Sequence, residues 1–401
     1  MKVALKHWRE VNLLEIAPIN AKLIDPRLKE YRQMILVAPD HIESGTGRII
    51  SKVTAEVQSA ISGKYYCKKN SVIYSKIRPY LRKAAIVYED VLCSADMYPL
   101  ECTSEITPEY LLNILLSDRF TAFANSCSNR TGIPKINRKE LSVFKVNLPP
   151  ISEQTNIADL LSTWDAAIEK TEKLIAAKEK QMNALYQLFF QPGMSANSSW
   201  HMTKIGQFMT PRKEREVPSE EIPLFSLTIE DGVTPKTDRY NRDFLVKDNG
   251  SKTYKVVYPG DIVFTTSNLR WGAIARSHVE HKVVISPIYE ILKIKTDKID
   301  PAFLEHALTC PRQIGIFATR TEGTLIERMA VKLDAFLLTE IMVPPTIDEQ
   351  QKVASFLDMA RDEIKLLKSQ VVAYRKQKRG LMQKLLTGQW RVNHVEACNG
   401  P

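Results

Sequence analysis

The strongest constraint on the fold is an internal repeat that runs through most of the 401 residues. Five segments recur in the same order. The displacement between the copies grows only from 192 residues, at Trp8 and Trp200, to 196 residues, at Gln154 and Gln350. The five pairs are HWREVNLLEIAP with SWHMTKIGQFMTP, SVIYSK with DIVFTT, LCSADMYPLE with VISPIYEILK, TPEYLLNIL with DPAFLEHAL, and VNLPPISEQ with IMVPPTIDEQ. Such a repeat predicts two domains of one architecture.

Each copy opens with patterns of a mixed α/β domain. The apolar runs Ser71–Lys76 and Asp261–Thr266 predict strands, and a Pro-Gly turn precedes the second. Thr107–Leu115 and Asp300–Leu308 predict short helices, because each has a proline near its first turn.

Each copy closes with a Pro-Pro pair, after which the hydrophobic period changes from 2 to about 3.5. The seam positions are Ile157, Leu161, Trp164, Ile168, Thr171, Ile175, Lys178, Met182, Leu185 and Phe189 in the first copy, and Val353, Leu357, Ala360, Ile364, Leu367, Val371, Tyr374, Lys378, Leu381 and Leu385 in the second. This pattern predicts two helices of about 37 residues, each roughly 55 Å long. We expect Ser152 to cap the N-terminus of the first long helix and Asp348 to cap that of the second.

A helix this long with one apolar stripe needs a partner, and we expect the two helices to pack on each other. A pseudo-twofold axis relating the copies would make them antiparallel. The predicted fold class is α+β: two tandem mixed α/β domains alternating with two long helices that pair as an antiparallel coiled coil. The predicted divisions are domain 1–147, helix 148–192, domain 193–342, helix 343–390 and tail 391–401.

Composition places the chain among ordinary globular proteins and makes it basic. The net charge of +10 is unevenly spread, with +7 in residues 1–150 and only +1 in residues 193–343. Basic chains often bind nucleic acid, although a basic solvated surface explains the bulk charge equally well. Six scattered cysteines and no long apolar run predict free thiols, no membrane span and a cytoplasmic location.

The motifs LPPISEQTNIADLL and VPPTIDEQQKVASFL, each behind a Trp-led domain, make the chain resemble the specificity subunit of type I restriction–modification enzymes over about residues 5–390. The resemblance implies that the two domains read the halves of a split site in double-stranded DNA. It implies that the helices set the spacing and dock two methyltransferase subunits, and that restriction/translocase subunits join the complex. It further implies a non-catalytic chain without a cofactor of its own. S-adenosylmethionine would belong to the methyltransferase partner, and ATP and magnesium to the restriction partner.

The residues themselves also argue against catalysis. In the string Asn147-Leu148-Pro149-Pro150, Leu148 stands where the Asn/Asp-Pro-Pro-aromatic motif of adenine methyltransferases has a proline, and Ile151 stands where the aromatic residue should be. No phosphate-binding G-x-x-x-x-G-K-[ST] motif occurs in the sequence.

Four segments combine a turn with donors suited to phosphates and base edges. The candidate DNA-binding residues are Lys76, Arg78, Arg82, Lys83, Arg130, Lys135 and Arg138 in the first domain, and Asn268, Arg270 and Arg320 in the second. Ordinary solvated loops are the alternative interpretation. The basic stretch 374–379 is predicted to contact either the DNA spacer between the half-sites or an acidic partner subunit.

Two other functions remain open at this point. The chain could be a duplicated coiled-coil scaffold for protein interactions without DNA readout, or a free-standing DNA methyltransferase. DNA binding with the partner present tests the first, and methylation by the chain alone tests the second.

Overall fold

The computed structural model describes residues 8–128, 132–193, 199–236, 252–322 and 329–392. The chain divides into two compact units. Unit 1 contains residues 1–172 and 369–401, and unit 2 contains residues 173–368. No helix among the described residues is long and apolar enough to cross a membrane. The five described cysteines are free thiols, as predicted.

The described residues of unit 1 form nine short strands and four short α-helices. The strands are β1 (Arg9–Asn12), β2 (Leu23–Ile24), β3 (Leu36–Val37), β4 (Lys64–Cys67), β5 (Val72–Ser75), β6 (Ala84–Ile86), β7 (Val91–Cys93), β8 (Met97–Leu100) and β9 (Lys145–Leu148), and the helices are α1 (Leu13–Ile16), α2 (Pro108–Leu116), α3 (Asp118–Ser128) and α4 (Arg138–Ser142). The strands form sheets in the orders β2-β4-β7-β3, β6-β5-β8 and β1-β9. Only the β3–β7 pair is parallel among them.

Unit 2 is built in the same way. Its elements are β10 (His201–Lys204), β11 (Met209–Pro211), β12 (Arg215–Glu216), β13 (Leu224–Thr228), β14 (Gly232–Pro235), β15 (Tyr254–Val257), β16 (Ile262–Thr265), β17 (Ile274–Arg276), β18 (Val283–Ile285), β19 (Tyr289–Ile294) and β20 (Glu340–Val343), with α6 (Pro301–Thr309), α7 (Pro311–Thr319) and α8 (Leu333–Leu337). The sheet orders are β12-β15-β18-β13-β14, β11-β19-β16-β17 and β10-β20. The parallel pair is β13–β18, and β16 lies between β17 and β19 just as β5 lies between β6 and β8.

The predicted long helices are α5 (Ile151–Phe190) and α9 (Ile347–Leu386), each of 40 residues. Both begin one residue before the expected caps, so that part of the prediction is wrong. Ser152 and Asp348 lie inside the first turn, where Asp348 pairs with Lys352. The second helix is capped instead by Thr346, whose hydroxyl accepts from the Glu349 amide at 3.3 Å. Pro150 precedes the first helix and has no side-chain oxygen to offer.

The long helices complete both hydrophobic cores. In unit 1 the start of α5 and the end of α9 are buried with the short helices, and in unit 2 the end of α5 and the start of α9 are buried in the same way. The buried helix residues are Ile157, Leu161, Met382, Leu385 and Leu386 in unit 1, and Met182, Phe190, Ala354 and Leu357 in unit 2. The two ends of each long helix therefore pack on the domains.

The glutamine of the repeated Glu-Gln motif has a structural role. Gln154 is fully buried, accepts from the Thr107 amide at 3.0 Å and donates to the carbonyl oxygens of Glu105 and Pro149. Gln350 accepts from the Asp300 amide at 2.8 Å and donates to the Pro344 carbonyl in unit 2. In both units the glutamine thus connects the first turn of a long helix to the N-cap residue of a short helix. That N-cap residue is Thr107 in unit 1 and Asp300 in unit 2.

The glutamate before Gln154 holds the two ends of unit 1 together. Its carboxylate accepts from the Trp8 indole at 2.9 Å and forms an ion pair with Arg391, whose guanidinium lies 5.6 Å from the Trp8 ring centroid. The first residues after α9 are therefore fixed to the first strand of the unit.

Candidate nucleic-acid interface

Two of the predicted DNA-binding segments come together at one edge of unit 1. The segment after β5 and the segment after α3 form an antiparallel bridge between Ile77 and Lys135. The Ile136 amide donates to the Lys76 carbonyl at 2.9 Å, and the Arg78 amide donates to the Pro134 carbonyl at 2.8 Å. Segments about 55 residues apart in the sequence thus form one surface, which we call edge 1 (residues 76–83 and 132–138).

Edge 1 carries three exposed cations, Arg78, Lys135 and Arg138. The Arg138 guanidinium donates to the Tyr65 hydroxyl at 3.3 Å and lies 5.9 Å and 5.8 Å from the ring centroids of Tyr65 and Tyr98. These two rings orient the guanidinium while leaving it accessible. The sequence analysis missed both tyrosines, since nothing in the sequence places them beside Arg138.

Lys76 lies beneath these cations. Its ammonium donates to the Ala95 carbonyl and lies 5.4 Å from the Tyr98 ring centroid. Burial lowers the pKa of Lys76, and the positive charges of Lys135 and Arg138 lower it further, while Asp96 opposes the effect. Because Lys135 and Arg138 lie close to Lys76, their charges add to a positive potential at edge 1, which would attract phosphate.

Arg82 and Lys83 are engaged within the unit. Arg82 forms an ion pair with Asp118 at 2.7 Å, and the Lys83 ammonium donates to the Pro39 carbonyl at 2.6 Å. Both side chains therefore hold the turn against the rest of the unit. Arg130 lies outside the described residues.

Unit 2 has an edge in the corresponding place. The Val331 amide donates to the Thr266 carbonyl at 2.9 Å, as the Ile136 amide does to Lys76 in unit 1. Helix α7 packs against the turn Leu269–Trp271 as α3 packs against Pro79–Leu81. We call residues 266–272 and 320–322 with 329–332 edge 2.

The predicted DNA-binding residues of unit 2 are polar and lie in edge 2. Asn268 is exposed, and its carbonyl accepts from the Trp271 amide at 2.9 Å, which closes the turn. The Arg270 guanidinium lies 5.2 Å from the Trp271 ring centroid. Arg320 is exposed directly after α7. Edge 2 also contains an ion pair between Glu322 and Lys332, so it is less strongly positive than edge 1.

The basic stretch 374–379 uses much of its charge inside unit 1. Arg375 pairs with Glu172, Lys378 with Asp165, and Arg379 with Asp118. The Lys378 side chain, which interrupts the predicted apolar seam, is only 12% exposed. These three cations connect α9 to α5 and α3. Neither interpretation from the sequence, the DNA spacer or an acidic partner subunit, included these contacts within the chain.

Within the described ranges, no group of three or more His, Cys, Asp or Glu side chains is arranged to hold a metal ion. Edge 1 and edge 2 present guanidinium, ammonium, amide and aromatic groups. This inventory of donors and rings suits phosphates and base edges.

The comparisons with known proteins agree with this architecture. Residues 6–179 match the model of the type I restriction modification DNA specificity domain. The chain is 36% identical over 181 residues, 45% of its length, to the type I restriction enzyme EcoDI specificity subunit of Escherichia coli; that alignment covers 40% of the relative. It is 25% identical over 326 residues, 76% of its length and 75% of the relative, to the type I restriction enzyme MjaVIII specificity subunit of Methanocaldococcus jannaschii.

The fold is also that of a solved protein. The crystal structure of a type I restriction–modification system S subunit from M. genitalium superposes with a TM-score of 0.58 at 15% identity, covering 96% of this chain and 98% of that one. At this identity the likeness concerns the fold, and it extends through both units. Residues 6–179 are thus similar to the type I restriction modification DNA specificity domain.

Proposed function

We propose that this chain is the DNA-binding specificity subunit of a type I restriction–modification complex, in which edge 1 and edge 2 each contact one half of a bipartite site. The observation that carries the proposal is the recurrence of the edge. In both units a loop after an inner strand, β5 or β16, is joined by a backbone hydrogen bond to the segment after α3 or α7. Both edges carry exposed donors that match phosphate and base chemistry.

The proposal assigns the DNA contacts of unit 1 to Arg78, Lys135 and Arg138, with Lys76 adding charge beneath them. In unit 2 it assigns them to Asn268, Arg270 and Arg320. Arg82 and Lys83 act as supports for the turn. The two halves of the site are bound unequally, because residues 1–150 carry a net charge of +7 and residues 193–343 only +1.

The long helices are proposed as an antiparallel coiled coil that relates the two units by a pseudo-twofold axis and spaces the half-sites. The order of contacts within each unit supports this. Near the start of α5, Asp165 pairs with Lys378 near the end of α9. Near the end of α5, the Phe189 ring lies 6.3 Å from the ring of Phe356, near the start of α9.

The catalytic work is proposed to belong to the partners. Two methyltransferase subunits dock on the helices and bind S-adenosylmethionine, and restriction/translocase subunits bind ATP and magnesium. The chain itself binds double-stranded DNA without catalysing a reaction, in the cytoplasm, where its cysteines stay reduced.

The test replaces Arg78, Lys135 and Arg138 together by Ala in the full chain, assembled with its methyltransferase partner. Mapping the modified adenines in host DNA supplies the site, and binding to a duplex carrying it is measured over a range of salt concentrations. We expect weaker binding and a slope of log K against log salt reduced by about 2 to 3, since each lost phosphate contact removes about 0.9.

The matched control replaces Lys68 and Lys69, which are exposed just before β5 at the opposite end of that strand. This variant should bind as the wild type does. An unchanged slope in the triple variant would remove edge 1 from the interface. If the wild-type assembly forms no sequence-dependent complex, the chain is a protein-interaction scaffold instead.

A further inference from the structure

Each edge presents one large aromatic side chain to solvent in the corresponding turn. Tyr80 lies in the turn Pro79–Leu81 and is 54% exposed, and Trp271 lies in the turn Leu269–Trp271 and is 64% exposed. Both turns follow an inner strand of their sheet, β5 or β16, and pack on α3 or α7. A single exposed ring is ordinary on a protein surface, but its recurrence in the corresponding turn of both units indicates a shared role.

The turns hold the rings outward. In unit 1, Arg78 and Arg82 flank the turn with φ of 49° and 48°, a left-handed conformation that non-glycine residues rarely adopt. The Arg78 amide donates to the Pro134 carbonyl, and Arg82 pairs with Asp118, so both ends of the turn are fixed. In unit 2, Gly272 supplies the left-handed residue with φ of 88°. Strained backbone held by surrounding contacts is typical of functional sites.

The surroundings of the rings indicate what covers them. Tyr80 shares edge 1 with Arg78, Lys135 and Arg138, and the Trp271 ring has the Arg270 guanidinium 5.2 Å from its centroid. An apolar ring among cations matches a polyanion that also has apolar surface. DNA has both, because phosphates flank grooves in which thymine methyl groups and base faces are exposed.

Resting on the proposed function, we infer that Tyr80 and Trp271 are the apolar base contacts of the two domains and each determines specificity for one half-site. The cations position the edge on the phosphates. The ring then enters the groove and packs against the bases, which makes binding depend on sequence. Each ring acts on its own half-site only.

The experiment uses Tyr80→Ala and Trp271→Ala in the full chain assembled with its methyltransferase partner. Affinity is measured for a duplex with both cognate half-sites and for duplexes in which one half-site is scrambled. We expect Tyr80→Ala to lower discrimination at the first half-site at least about fivefold, and Trp271→Ala to do so at the second, since one base-pair contact contributes at least about that factor. The salt slope should stay that of the wild type, because no charge is lost.

Controls separate a base contact from a folding effect. Tyr80→Phe and Trp271→Phe keep a ring and should restore most of the discrimination. Tyr88→Ala and Leu338→Ala remove side chains that are 69% and 56% exposed outside the edges, and should change nothing. The fluorescence of Trp271, taken as the difference between wild type and Trp271→Phe, should shift when cognate DNA binds.

Each failure has its own signature. Discrimination at wild-type levels in both alanine variants would overturn the inference while leaving the proposed function intact. Loss of discrimination at both half-sites in either variant would also overturn it, since the ring would then act through the structure. If the wild-type assembly does not discriminate any duplex, the proposed function itself fails.

Discussion

At the scale of single residues, the same chemistry serves either structure or recognition depending on what surrounds it. Arg78 and Arg82 are four positions apart and both adopt left-handed backbone. Arg78 is exposed, whereas Arg82 pairs with Asp118. The sequence treats the two as equivalent members of a basic loop. Only the position of Asp118, at the start of α3, separates a candidate DNA contact from a support.

Gln154 allows a stability prediction at this scale. Gln154→Leu should lower the free energy of unfolding by about 2–4 kcal/mol, because it leaves the partly buried Thr107 amide and the carbonyls of Glu105 and Pro149 without their partner. Urea unfolding followed by circular dichroism measures the loss. Gln181→Leu, on the exposed surface of the same helix, should change stability by less than about 0.5 kcal/mol. Similar losses of unfolding free energy in the two variants would show that the hydrogen bonds of Gln154 contribute little to stability.

At the scale of elements, polar interruptions of the apolar seam are compensated by ion pairs. Lys178 pairs with Glu363 at 2.8 Å in unit 2, and Lys378 pairs with Asp165 in unit 1. The two lysines therefore favour one alignment of α5 against α9 in each unit, since any shift along the helix would leave a partly buried ammonium without its carboxylate. Seam positions that look like defects in the sequence thus contribute to register.

In unit 2, titratable side chains are buried at the junction of α6 with both long helices. His306 is fully buried on α6, where its ring nitrogens lie 3.1 Å from the Tyr186 hydroxyl and 2.9 Å from Asp358. Burial lowers the pKa of His306, and the Asp358 hydrogen bond opposes this while the Arg361 charge adds to it. Glu305, also at this junction, has a pKa lowered to about 2: burial would raise it, but hydrogen bonds from His278 and Arg276 and the Arg361 charge prevail.

The lowered pKa of His306 predicts acid sensitivity. The unfolded chain takes up a proton near the ordinary histidine pKa of about 6.5, while the folded chain does so only at lower pH. Stability should therefore fall as pH drops from 7.5 to 5.5. His306→Gln should be less stable at pH 7.5 but lose less stability over that range, as measured by urea unfolding. His201→Gln, an exposed control, should keep the wild-type dependence. Parallel curves for wild type and His306→Gln would contradict the prediction.

At the scale of the whole molecule, the proposed spacer makes a geometric prediction. Deleting one heptad from each long helix, residues 170–176 and 367–373, keeps the seam in phase and shortens the helix pair by about 10 Å. The spacing between modified half-sites should then shrink by about 3 base pairs at 3.4 Å each. Sequencing of methylated DNA from cells carrying the variant measures the spacing directly.

The control for the spacer deletes an equal length from one helix only. That variant breaks the pairing of seam positions and should lose modification rather than change the spacing. Unchanged spacing in the paired deletion would refute the spacer, while leaving the assignments of edge 1 and edge 2 untouched.

The sequence by itself determined the duplication, the two long helices, and one strand and one short helix in each copy, because hydrophobic period and Pro-Gly turns are local properties that recur in both copies. Tertiary structure alone decided which charges are available for recognition. The bridge between Ile77 and Lys135 joins two loops into one edge, and Asp118 and Pro39 engage Arg82 and Lys83. Such pairings depend on contacts between distant segments, which no local pattern encodes. They turned a set of basic loops into a defined surface with one exposed ring in each unit.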